Sequence, residues 1–227
     1  MMSNELRTLF DYLNANCKYI VLRNWDNLFE GVIYSKGHED IDILCECLEQ
    51  FISLTKAKRV HSERNRDNFI VTWKSTDIRF DVRWVGDGYY PKELEKIMLE
   101  NRVFDQRGIF IPNPKDHYYS LAYHALIQKP KLSDEYKQRL CFLRQGFQEA
   151  SITNVETVIK EDLEVYLASN RWQVDYPNDP GVFLNRRVMN QLPVKSHFIR
   201  RIRRALFLTK RTLIGYFKRF MSLFSVG

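Results

Sequence analysis

Two aspartates, Asp40 and Asp42, stand two residues apart in the alternating stretch Asp40-Ile41-Asp42-Ile43-Leu44-Cys45. Alternation of this period is that of a strand, on which residues i and i+2 point to the same side. Their Cα atoms are then about 6.5–7 Å apart, so both carboxylates can converge on one hard cation. Mg2+ (or Mn2+) takes oxygen ligands and commonly uses one or two carboxylates together with substrate phosphates. A third carboxylate has to come from an adjacent strand. Asp81 answers that need, because it interrupts the otherwise apolar run Phe80-Asp81-Val82, where a lone aspartate is costly unless it is paired or metal-bound. Three carboxylates can hold two divalent ions about 4 Å apart, the arrangement that stabilises the attacking and leaving oxygens of in-line phosphoryl transfer. The competing reading of Asp-x-Asp is a solvated strand face, and Asp77 reads as a plain turn former.

Around this trio stand other residues able to meet a substrate. Arg83 follows Asp81 by two residues and faces the same side; it either balances the carboxylates or binds a phosphate. The turn Gly86-Asp87-Gly88-Tyr89-Tyr90 can approach a ligand closely, and Tyr89 or Tyr90 can stack on a sugar or base; turn chemistry alone is the alternative account of the glycines. His124 and Lys129 lie on or just past an expected helix. His124 can serve as a base or phosphate ligand; a structural histidine is the alternative. Lys129 also fits simple pairing with a helix C-terminus.

The elements that must position these residues follow from periodicity. Residues 4–16 read as an amphipathic helix capped by Asn4, and Tyr19–Leu22 as a short apolar strand. Residues 24–37 read as a loop with a turn of helix. The Asp40–Cys45 strand leads into a helix over 46–57. Two strands, Phe69–Trp73 and Ile78–Val85, flank the turn Lys74-Ser75-Thr76-Asp77. A helix over 91–100 starts at Pro91, and a short strand at Ile109–Ile111 ends at Pro112. Helices then cover 116–128, 133–150 and 153–169, with Tyr118 and Tyr119 in the core. The loop 170–182 carries two prolines and a glycine. This order predicts an α/β (α+β) fold: a small mixed sheet with a helical C-terminal subdomain and a basic tail helix. The expected divisions are 1–112, 113–185 and 186–227.

The segments VLRNWDNL, GHEDIDILCE and IRFDVRWVGDGYY together resemble the nucleotidyltransferase superfamily that includes DNA polymerase β and aminoglycoside nucleotidyltransferases. More narrowly, they resemble a bacterial branch associated with surface-polysaccharide biosynthesis. The resemblance covers roughly residues 17–130. It implies that Asp40 and Asp42 are the paired metal-binding and catalytic aspartates, that Asp81 is the third, and that the donor is a nucleoside triphosphate or a similar nucleotide. It further implies a transferase acting on a glycan or small-molecule acceptor. The family places a glycine-serine or glycine-glycine pair after the first strand; Leu22-Arg23-Asn24 stands there instead. Arg23 either clamps a phosphate through its planar fork of donors or blocks the usual pose, with Asn24 beside it. If it blocks, the chain is a non-catalytic module of the same fold, docked on a membrane glycan-assembly complex.

Charge is unevenly spread. The chain of 227 residues carries +7 overall, yet no acidic residue follows Asp179, and 11 of the 35 Lys and Arg lie beyond it, leaving 24 against 28 Asp and Glu. In 198–224, Phe198, Ile202, Leu206, Leu213, Phe217, Phe220 and Phe224 share a helical stripe, and cations fill much of the rest. This is the composition of an interfacial helix on an anionic membrane surface; a partner-binding helix is the alternative. The phenylalanine stripe disfavours nucleic acid. The four cysteines show no zinc-knuckle spacing, the start MMSNELRTLF lacks signal-peptide character, and no apolar run is long enough to span a bilayer. These features predict a cytoplasmic protein, peripheral on the inner face of the plasma membrane.

Overall fold

The computed structural model describes residues 2–26, 28–29, 40–61, 67–146 and 154–224. Most of the loop expected over 24–37, and Gly37 to Glu39 ahead of Asp40, lie outside the described residues. The first helix, α1 (Met2–Asn16), precedes strand β1 (Tyr19–Val21). Then follow β2 (Ile41–Cys45), α2 (Leu48–Thr55), β3 (Lys58–His61), β4 (Asp67–Trp73) and β5 (Thr76–Trp84). The strands form one sheet in the order β1-β2-β5-β4-β3. β2 and β5 run parallel, and the other neighbours run antiparallel. The fold is therefore mixed α/β, as the element order predicts.

The sheet is buried on both faces over β1, β2 and the second half of β5, and the alternation in β2 and β5 sorts residues between two cores. Ile41, Ile43, Cys45, Ile78, Phe80 and Val82 pack with Leu6, Leu9, Phe10 and Phe51 from α1 and α2. Leu44 turns to the opposite face, with Ile20 and Leu22. There it meets α3 (Lys92–Glu100), α4 (Pro114–Ile127), α5 (Asp134–Gln145) and α6 (Val155–Ser169). The helical segment that starts after residue 112 thus shares its core with the sheet. The centre of that core is α4, in which every residue from Asp116 to Ile127 is buried. Its start is two residues earlier than the pattern suggests. Asn113 caps it by accepting from the Asp116 amide at 2.9 Å, and Pro114 follows in the first turn, where no amide is needed.

Several boundaries differ from the sequence reading. The β4–β5 hairpin turns on two residues only, Lys74 and Ser75, both with positive φ (46° and 70°). Such a turn matches the right-handed twist of its strands, and it leaves Asp77 inside β5, where it accepts from the Thr72 hydroxyl at 2.7 Å. The edge strand β3 and the strand β6 (Val103–Phe104) are additions; β6 pairs in a small hairpin with β7 (Phe110–Ile111), the short strand expected at Ile109–Ile111. The hairpin closes over β1 through Phe110 on Tyr19, ring centres 6.0 Å apart, and through Asn14 donating to the Gly108 carbonyl at 2.8 Å. α5 stops at Gln145, and the expected continuation to residue 150 reaches outside the described residues. A short helix, α7 (Arg186–Met189), precedes the long α8 (Phe198–Phe224).

Candidate carboxylate–arginine site

The site lies on the helical side of the sheet, at the one parallel strand pair. Asp42 and Asp81 occupy the same level of β2 and β5, paired in register. Parallel in-register neighbours point to one face, so both carboxylates stand beside each other on that face. Asp40 sits partly buried in the bend just ahead of β2. The structure thus brings Asp42 and Asp81 together on neighbouring strands, with Asp40 one alternation away.

Each of the two strand carboxylates meets a guanidinium. Beyond β1 the Leu22 amide still donates to the Asp42 carbonyl at 2.9 Å, which carries Arg23 alongside β2. Arg23 then forks onto Asp42: Nε donates to Oδ2 at 3.0 Å and Nη2 to Oδ1 at 2.5 Å. Burial opposes the Arg23 charge, but the Asp42 carboxylate together with Tyr89, Tyr90 and Tyr136 outweighs it and raises the pKa well above the ordinary value. Arg83, two residues beyond Asp81 on the same face, has Nη2 2.7 Å from Asp81 Oδ1. Asp179 Oδ2 at 3.6 Å and Asp87 Oδ2 at 4.0 Å complete an acidic ring around it. Its guanidinium also lies over the Tyr89 ring, 4.3 Å from the centroid. Burial again works against this charge, and the surrounding carboxylates raise the Arg83 pKa. The pairing with three acids makes Arg83 the balancing partner rather than an open phosphate ligand.

Tyr89 ties the arginines to α4. Its hydroxyl lies 3.2 Å from Arg23 Nη2 and 2.9 Å from His124 Nδ1. His124 Nδ1 is also 2.9 Å from Gln128 Oε1, and Gln128 Nε2 donates to the Tyr89 carbonyl at 2.5 Å. His124 is buried in this network. Tyr90 is 1% exposed and packs edge-on against Tyr89 and Tyr123, so here its ring belongs to the core rather than to a ligand surface. Lys129 is partly buried just beyond α4. Asn24, in a left-handed conformation with φ 61°, accepts at Oδ1 from Arg139 Nη1 at 2.9 Å.

Sequence reasoning misses four contributors. Asp87 and Asp179 join the ring on Arg83, and Asp179 arrives from a distant loop that no local pattern connects with β5. Glu95, the fourth residue of α3 after its proline start, is fully buried and accepts from the Gly86 and Tyr90 amides at 2.7 and 3.1 Å. Burial raises Glu95 well above the usual carboxyl range and Asp87 up to about 6. The fourth is Arg139 of α5, which brings a second guanidinium near Arg23; burial lowers its pKa.

As a cation site, the donor set has the right chemistry: carboxylate oxygens from two adjacent strands. The two oxygens of Asp42 are held by Arg23, so a cation there has to displace that fork. Among the described residues, no three His, Cys, Asp or Glu side chains converge as a ready metal-binding group. No family model and no curated protein matches the chain. One solved structure, an antigenic nucleotidyltransferase-like protein from Paracoccidioides brasiliensis, is similar at TM-score 0.40 and 10% identity, over 83% of this chain and 98% of that one. A likeness this loose carries no argument, and the reading of the site rests on its own residues.

Proposed function

We propose that the chain transfers a nucleotidyl or phosphoryl-type group from a nucleoside triphosphate or similar donor to a glycan or small-molecule acceptor. The observation that carries this reading is the in-register pair of Asp42 and Asp81 on adjacent parallel strands, with Asp40 ahead of it. Asp40, Asp42 and Asp81 would hold Mg2+ (or Mn2+), which supplies charge stabilisation for the oxygens of the transferring phosphorus. Arg23 would exchange the Asp42 carboxylate for a donor phosphate, a change between two planar bidentate partners. Arg139, close by, would add a second guanidinium to that phosphate. Asp81, once relieved of Arg83, would accept the acceptor proton. The role in surface-polysaccharide biosynthesis rests on the resemblance of the three quoted segments alone.

One observation favours a second reading. Both strand carboxylates are already matched by arginines, as in a non-catalytic module whose fold outlives its chemistry. Titration calorimetry with Mn2+ and each nucleoside triphosphate separates the two. Metal-dependent nucleotide binding, lost in Asp42→Asn, supports the transferase. No binding by the native chain supports the module.

A further inference from the structure

The tail helix α8 is held by one side only. Arg200 donates to the Tyr176 and Gly86 carbonyls at 3.0 Å each and pairs with Asp175 at 3.0 Å. One turn on, Arg204 donates to the Pro180 and Val182 carbonyls at 3.1 and 2.6 Å. On a helix of 3.6 residues per turn, Ile202, Leu206, Leu213 and Phe217 fall on the opposite side. All four are exposed, and every residue from 209 to 217 is exposed. The two arginines therefore turn the apolar stripe outward. Arg200, paired with a carboxylate, also removes itself from the cations free to meet a partner.

Beside the stripe runs a groove of about 850 Å3 between α8 and the 184–196 segment. Its apolar part includes Met189 and Leu192. Arg186, Lys195, Arg201 and Arg204 line it as well, and no carboxylate does among the described residues. Arg186 has no carboxylate partner there. Burial and then the nearby Arg186 charge both lower the Arg204 pKa, against the weaker opposing pull of Tyr176 and Asp179, so Arg186 and Arg204 crowd one groove with like charge. Like charges in a half-buried groove are unfavourable until an anion joins them.

We propose that this groove seats the phosphate headgroup of an anionic phospholipid, with α8 lying in the bilayer interface beside it. Three features select a lipid over a soluble anion. The cations border an apolar floor, the floor continues into the exposed stripe of α8, and the stripe has no cover among the described residues. No helix among the described residues is long and apolar enough to cross a membrane, so the contact is interfacial. This inference does not depend on the proposed transfer chemistry.

The test is co-sedimentation of the full chain with phosphatidylcholine vesicles, with and without about 30% phosphatidylglycerol. Arg186 is exposed and opens the short α7, so Arg186→Glu leaves the fold intact. The expected result is binding only to the anionic vesicles, weakened about tenfold by Arg186→Glu and by Ile202→Asp. Arg203→Glu, on α8 but outside the groove, should weaken it less than about threefold. Equal losses from Arg186→Glu and Arg203→Glu would mean a diffuse cationic surface and overturn the groove. Equal binding to both vesicle types would overturn the anionic headgroup. Glycerol phosphate bound by the free protein as tightly as the vesicles would place a soluble phosphate in the groove and overturn the lipid.

Discussion

Arg23 grips Asp42 through two nitrogens, Nε at 3.0 Å and Nη2 at 2.5 Å from separate carboxylate oxygens. The pair is nearly dry, with side chains 9% and 12% exposed. A buried pair of this kind contributes little over an apolar substitute, but removal of one member strands the other charge. Arg23→Ala is therefore expected to cost about 3 kcal/mol in urea unfolding. The double variant Arg23→Met/Asp42→Leu should recover most of that loss. A single-variant cost under about 1 kcal/mol would show that water or a cation already serves Asp42.

Asp87 predicts a pH dependence. Burial raises its pKa from 3.8 to about 6, against the lowering effect of Arg83. The folded state therefore holds the Asp87 proton more tightly than the unfolded chain. Its contribution to stability is fully present below pH 3.8 and is lost as pH rises through about 6. Asp87→Asn keeps an acceptor for the Tyr89 amide, which Asp87 Oδ1 now receives at 2.7 Å. Asp87 in turn raises its neighbour Glu95, so the variant relieves both carboxyls, and between pH 4 and 7 the native chain should lose about 1 kcal/mol or more relative to it. Buried His117, whose pKa burial lowers to about 3, bends both curves the opposite way and cancels in the difference. Parallel stability–pH curves for the two proteins would contradict the assignment.

Gly88 predicts a coupling between the turn after β5 and the tail. Its φ is +80°, and a Cβ there would lie 2.5 Å from Arg200 Nη1 and 2.6 Å from the Tyr176 carbonyl oxygen. Left-handed backbone alone costs a side chain about 1–2 kcal/mol, and the carbonyl cannot swing away as a flexible side chain would. Gly88→Ala should lower stability by about 2 kcal/mol or more, and should raise hydrogen exchange at the first turn of α8. Unchanged exchange there would mean that Arg200 does not hold the helix.

The pairing of Asp42 with Asp81 is legible in the sequence because strict alternation fixes which side each residue takes, and an aspartate amid apolar neighbours marks β5. The arginine partners are less legible. Whether Arg23 reaches a phosphate or an aspartate depends on β1 lying beside β2, a tertiary fact. Asp179 joins Arg83 from 96 residues further along the chain, and no spacing rule spans that. Tyr90 follows a Gly-Asp-Gly turn that reads as exposed, yet Glu95 accepts its amide and the ring turns into the core. β3, with Lys58 and Arg59, is polar in the way that edge strands protect themselves, which hides it from an apolar pattern. The Lys74-Ser75 turn lacks the glycine or asparagine that announces such hairpins.

The burial of α4 on every side bears on where the chain can be cut. A helix wrapped by both sheet and helices belongs to neither half, so no fragment ending near residue 112 inherits a finished interior. A protease should instead trim the chain inward along α8, where residues 209–217 are all exposed, and stall near Arg204. Shortening the protein from that end would leave the carboxylates and their arginines intact, while dividing it at the sheet–helix junction would dissolve both halves together.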